Sequence, residues 1–131
     1  MLDTDTCVYC IKNKPGIVRA NFQVNRKDGI VISTVVLSEL LYGVEANTFP
    51  EKNLTALRKF LVFIPVLPFD DTAAVEYGKI RATLKKLGTP IGPMDAMIAA
   101  HAKAEGLTLV TNNIRKFERV EGLAIVNWAP S

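Results

Sequence analysis

Four short apolar runs, at residues 30–32, 64–67, 107–111 and near 124–126, alternate with longer segments of helical spacing. Runs of that length, β-branched or aliphatic and bounded by Gly, Pro or Ser, read as buried strands. Strands that alternate with helices build a parallel sheet covered on both faces. This alternation predicts an α/β fold: a single three-layer domain over residues 1–131, with a small, mostly parallel sheet flanked by helices. A chain of 131 residues is long enough to bury a real core in one such domain.

The remaining segments fit that frame. Met1-Leu2 is the end of a strand that delivers Asp3 to its carboxyl edge. Helices are expected over residues 4–12, 17–24, 34–46, 49–60, 70–87 and 92–102, with a break at Asn13-Lys14-Pro15-Gly16 and a loop over residues 112–119. In open parallel sheets, ligands bind outside the carboxyl ends of the strands. Three polar clusters fall there: Asp3, Ser33-Thr34 and Thr111-Asn112-Asn113.

Composition narrows the setting. A net charge of +3 leans basic and is compatible with a polyanionic partner, although no Lys/Arg block exceeds two residues. No apolar run approaches a membrane span and the first residues are unlike a signal peptide, so a cytoplasmic protein without a membrane partner is expected. Cys7 and Cys10 form a C-x-x-C, but Val8 and Tyr9 between them look like helix packing. His101 is the one histidine, too few ligands for zinc. The two cysteines read as small core residues.

Three acids stand out. In Gly92-Pro93-Met94-Asp95-Ala96-Met97-Ile98-Ala99-Ala100-His101-Ala102, the residues Met94, Met97, Ile98 and His101 share one helical face, and the alanines make the rest small and apolar. Asp95 is the one charge in the first two turns of a helix buried nearly all round. Glu39 takes the place of an aliphatic in a second apolar stripe of its helix, with Val35, Tyr42 and Ala46. Asp3 ends a strand. Carboxylates gathered without basic partners persist only through protonation or a cation. Hard oxygen donors at a sheet's carboxyl edge suit Mg²⁺, with Mn²⁺ as a substitute. The chemistry they best match is phosphodiester hydrolysis.

These residues carry a resemblance. Met1-Leu2-Asp3-Thr4, the Ser33–Gly43 run around Glu39, Gly92 to Ala99 around Asp95, and Val110-Thr111-Asn112-Asn113 with Phe117 resemble the motifs of PIN-domain ribonucleases, in order along nearly the whole chain. More narrowly, the chain is similar to VapC-type toxins of bacterial toxin–antitoxin pairs. The resemblance implies an Mg²⁺-dependent endoribonuclease acting on RNA, with a transfer RNA the expected substrate. It also implies inhibition by a small VapB-type antitoxin and a homodimer, of higher order with the antitoxin. Asp3, Glu39 and Asp95 match the family's acidic triad, with Asp3 and Asp95 as direct metal ligands. Asn113 falls where many relatives carry a fourth acid, and it completes the expected catalytic set. Asp5 replaces a usual Asn and adds a charge whose ordinary use is helix capping. Only two residues precede Asp3, fewer than is usual in the family.

Two other classes compete. Asp3-Thr4-Asp5 resembles the nucleophile motif of haloacid-dehalogenase-type phosphatases, with Ser33 and Asp70-Asp71 as further matches. Cys7 stands where that family has Thr or Val, and the reading leaves Glu39 and Asp95 unexplained. A non-catalytic phospho-receiver domain of similar length needs a Lys where this chain has Asn112-Asn113. Of the remaining polar residues, His101 reads as a hydrogen-bonded core histidine. Trp128 reads as a packing residue, and Lys79, Arg81, Lys85 and Lys86 as a solvated helix face. Arg115 and Lys116, beside Asn113, are the candidates for substrate phosphate contact.

Overall fold

Side-chain oxygens of Asp3, Ser33, Asp70 and Asn113 each accept a backbone N–H of the helix that follows. They start α1 (Thr4–Lys12), α3 (Thr34–Ala46), α5 (Asp71–Lys86) and α7 (Ile114–Phe117). Each such cap satisfies a donor that the first turn leaves free. Pro50 and Pro93 open α4 (Pro50–Leu61) and α6 (Pro93–Ala104), at the position where a missing N–H costs nothing. α1 stops at Asn13, which adopts a left-handed conformation with φ 55°. After the break, α2 (Gly16–Asn25) runs into a single 3-10 turn. The computed structural model describes residues 1–129.

The strands are short. β1 (Ile32–Ser33) pairs in parallel with β2 (Val66–Leu67), and β3 (Leu109–Val110) in parallel with β4 (Ile125–Val126). Residues 1–3 join the two pairs. The Leu2 N–H donates to Val31 O at 3.1 Å, the Asp3 N–H to Val110 O at 3.0 Å, and the Val110 N–H to Met1 O at 2.8 Å. The order across the sheet is therefore β2, β1, residues 1–3, β3, β4. The chain leaves its first segment toward one edge and later returns to build the other. That reversal opens a crevice outside the carboxyl ends of residues 1–3 and β3.

The expected α/β architecture is the observed one, a small parallel sheet flanked by seven α-helices among the described residues. The strands are shorter than expected, and two helical details differ as well. Residues 112–119 are not a plain loop, because Asn113 caps the one-turn α7 within them. Met94 is exposed and Met97 only half-buried, so the buried surface of α6 is its alanines with Ile98 and His101. Alanines let α6 lie close against its neighbours, α5 above all. His101 is a core histidine, as expected, with Nδ1 2.7 Å from Ser33 Oγ. Cys7 and Cys10 are free and buried, and Trp128 is buried. Among the described residues, no helix is long and apolar enough to cross a membrane.

Candidate active site

Asp3 sits at the crevice, where its N–H donates to Val110 O and its side chain is bonded as well. As the cap of α1, its Oδ1 accepts the Thr6 N–H at 2.9 Å. It is 6% exposed, and burial pushes its carboxyl above the ordinary range, with the Asp5 carboxylate adding to the rise. The Thr111 and Thr6 hydroxyls and the Thr6 N–H pull it back down. No cationic group pairs with it among the described residues. A buried carboxylate whose partners are all neutral is poised to take a cation. Asp5, by contrast, is exposed, and the cap expected of it is made by Asp3.

Glu39 reaches the same place from α3. Its Oε1 accepts the hydroxyl of Thr4, the residue after Asp3. The second apolar stripe expected around Glu39 is not a packed face: Tyr42 is 75% exposed and Ala46 is exposed. α3 packs on α1, α4 and α6 through Val36, Leu40 and Val44 instead, which leaves Glu39 half-buried at the rim.

Asp95, in the first turn of α6, accepts Lys116 Nζ on its Oδ2 at 2.8 Å. This corrects the expectation that the acids lack basic partners. Both side chains are about one-third exposed. Asn113 is exposed, and its Oδ1 accepts the Lys116 N–H at 3.3 Å while its own N–H donates to Thr111 Oγ1 at 3.0 Å. Two chains of hydrogen bonds therefore form near Asp3: Thr4 with Glu39, and Thr111 with Asn113, Lys116 and Asp95. Arg115 is exposed on α7 and stands outside both. Thr4 stands in the motif around Asp3 and Thr111 in the polar cluster at the end of β3, each without a role assigned from the sequence, while Thr6 carries no sequence signal as a site residue.

Among the described residues, no three His, Cys, Asp or Glu side chains stand close enough together to hold a metal ion as they are. One oxygen of each acid is engaged, by Thr6, Thr4 and Lys116 respectively. The donor set itself, all carboxylate and amide oxygen beside threonine hydroxyls, suits Mg²⁺ or Mn²⁺.

A parallel sheet with acids at its switch point is the setting of the PIN domain, and residues 1–123 match that family's model. The chain is a PIN-domain protein. It is 48% identical over 128 residues to the tRNA(fMet)-specific endonuclease VapC of Salmonella typhimurium, covering 98% of this chain and 96% of that one. The crystal structure of VapBC2 from Rickettsia felis, bound to a DNA fragment from the promoter, superposes with a TM-score of 0.93. It has 40% identity and covers 98% of both chains. DNA-bound VapBC from Salmonella typhimurium gives a TM-score of 0.92 at 47% identity, covering 98% of this chain and 97% of that one. Within the PIN domains, the chain belongs to the VapC ribonucleases. The phosphatase and phospho-receiver alternatives find no support. Ser33 Oγ is occupied by the Val35 N–H and His101, and Asp70 caps α5.

Proposed function

We propose that this chain is an Mg²⁺-dependent endoribonuclease that cuts a transfer RNA, the initiator tRNA(fMet) by likeness to its Salmonella relative, and is the toxin of a VapBC pair. Asp3 carries the reading: a buried carboxylate at the switch point with no cation paired to it among the described residues, next to Thr4, which bonds Glu39, and near Thr111, from which hydrogen bonds lead through Asn113 and Lys116 to Asp95. Asp3 and Asp95 would hold the ion. Bound there, Mg²⁺ supplies positive charge beside the scissile phosphate and favours attack by water.

The protein's own side chains do the rest. Thr4 fixes the rotamer of Glu39, which leaves its second oxygen to orient water or accept a proton at the crevice. The Thr6 N–H holds Asp3 in place, and with the Thr6 and Thr111 hydroxyls it offsets part of the burial cost. Arg115, exposed on the same turn as Lys116, is placed for the phosphate backbone. An RNA single strand suits the site, since unpaired loops expose bases and backbone together.

VapB-type antitoxin binding is supported by the relatives solved as VapBC complexes. A groove between α1, α3 and α4, lined by Val8, Ile11, Leu40, Val44 and Leu57, ends at Thr4 and Glu39. It fits an apolar segment that places an Arg or Lys among Asp3, Glu39 and Asp95. A homodimer is the assembly proposed for the toxin. The catalytic test is cleavage of tRNA by the purified chain with Mg²⁺, with chelator, and with Asp95→Asn. Cleavage is expected in the first case alone.

A further inference from the structure

We infer that Lys116 is a resident counter-ion of the site, which a divalent cation must displace from Asp95, and which then becomes a phosphate-binding group. The inference rests on the metal-dependent reading above and extends it to regulation of the same site.

Lys116 Nζ lies 2.8 Å from Asp95 Oδ2, on one of the two acids assigned to the metal. Lys116 stands in α7, a single turn whose N-terminus is tied to Thr111 and Asn113, so its backbone is held at the end of β3. The buried Phe117 beside it fixes that turn to the core, while the Lys116 side chain remains one-third exposed. A long, flexible side chain on a fixed backbone can leave its partner without unfolding anything. A partly exposed Lys–Asp pair is weak enough for that exchange to be easy.

Charge decides the direction. Asp3, Glu39 and Asp95 with Lys116 sum to about −2, and to about −3 once the ammonium swings out, so leaving strengthens the hold on a divalent ion. The released ammonium is then a few bonds from the site, where the RNA phosphate must lie. The pair lowers metal affinity in the RNA-free chain and couples metal loading to phosphate binding.

The experiment titrates the full chain, without RNA, with Mn²⁺ by calorimetry and by the resonance of free Mn²⁺. Lys116→Gln and Lys116→Met, both neutral, are expected to bind Mn²⁺ about three- to tenfold more tightly than wild type. Lys116→Arg keeps the charge and should keep the wild-type affinity. In an Asp95→Asn background, Lys116→Gln should bring no gain. Loaded with Mn²⁺, Lys116→Gln should bind RNA more weakly, with a salt slope smaller by about one. Equal Mn²⁺ affinity in wild type, Lys116→Gln, Lys116→Met and Lys116→Arg would overturn the counter-ion while leaving the nuclease reading intact. No Mn²⁺ binding by any of them would overturn both. Thermal unfolding of each variant confirms that it is folded, and the two neutral variants guard against a defect of either one.

Discussion

Asp3 serves two ends with one carboxylate, and its replacements separate them. Asn keeps an oxygen for the Thr6 N–H, whereas Ala loses the cap. Asp3→Ala should therefore cost about 1 kcal/mol of stability, and Asp3→Asn should cost none, while both lose RNA cleavage. The pH dependence has a definite sign. Burial raises the folded pKa of Asp3 above its unfolded value, about 3.9 for an ordinary Asp. Between those two values the folded state holds the extra proton, so stability contributed by this group falls as pH rises through the window. In chelator, Asp3→Asn should match or exceed wild type in urea at neutral pH, and the difference should vanish below about pH 4. A metal-free Asp3→Asn that is less stable at neutral pH only would contradict the burial account. The thiols give a second residue-scale test. Burial pushes Cys10 up to about 11 and Cys7 well above the ordinary range, so neither should react with an alkylating reagent at neutral pH until the chain unfolds.

At the scale of elements, α7 concentrates most of what the sequence concealed. One turn is too short to announce itself by periodicity, and a segment opening Asn112-Asn113 reads as a loop. The Asp95–Lys116 pair, 21 residues apart in the chain, is a tertiary contact that no local pattern carries. α6 was legible because its alanines leave few alternatives to close packing. The starts of α1, α3 and α5 were legible, although the acid that caps α1 is Asp3 and not Asp5. Glu39 was found for a reason that failed: the stripe around it is solvated, and its partner Thr4 lies on another helix. Three strands were recognised but drawn too long, since their apolar runs continue past the two residues that pair, and β1 was placed early, at residues 30–32 where Ile32–Ser33 pair.

α7 also gives two predictions. Phe117 is 1% exposed and anchors the turn, so Phe117→Ala should cost about 3–5 kcal/mol in denaturant melts and loosen Lys116 and Asn113 with it. An exposed substitution such as Arg115→Ala should leave stability unchanged. Asn113→Asp retains a capping oxygen and adds a fourth carboxylate, taking the acids from about −3 to about −4. We expect one tight Mn²⁺ site per wild-type chain without RNA, and tighter binding or a second site in Asn113→Asp. Two tight sites in the wild type would contradict this charge count.

For the whole molecule, the reversal of the chain at residues 1–3 opens one crevice, where the proposed chemistry sits. There Asp3 donates its N–H to Val110 O of β3, and Thr4 beside it reaches Glu39 of α3. The apolar groove between α1, α3 and α4 runs up to Thr4 and Glu39. An inhibitory partner seated there with a basic residue on Glu39 or Asp3 would compete with Mg²⁺, so raising Mg²⁺ should weaken its inhibition. Changing the partner's basic residues to Ala should relieve inhibition, and undiminished inhibition would point to steric blocking elsewhere. The central claim is metal-dependent cleavage at this crevice. It is tested most directly by incubating the purified chain with tRNA(fMet) and separating the products by size, with Mg²⁺, with chelator, and with Asp95→Asn in Mg²⁺. The account predicts discrete fragments with Mg²⁺ alone and intact tRNA in the other two; cleavage at the wild-type rate in chelator, or by a folded Asp95→Asn, would contradict it.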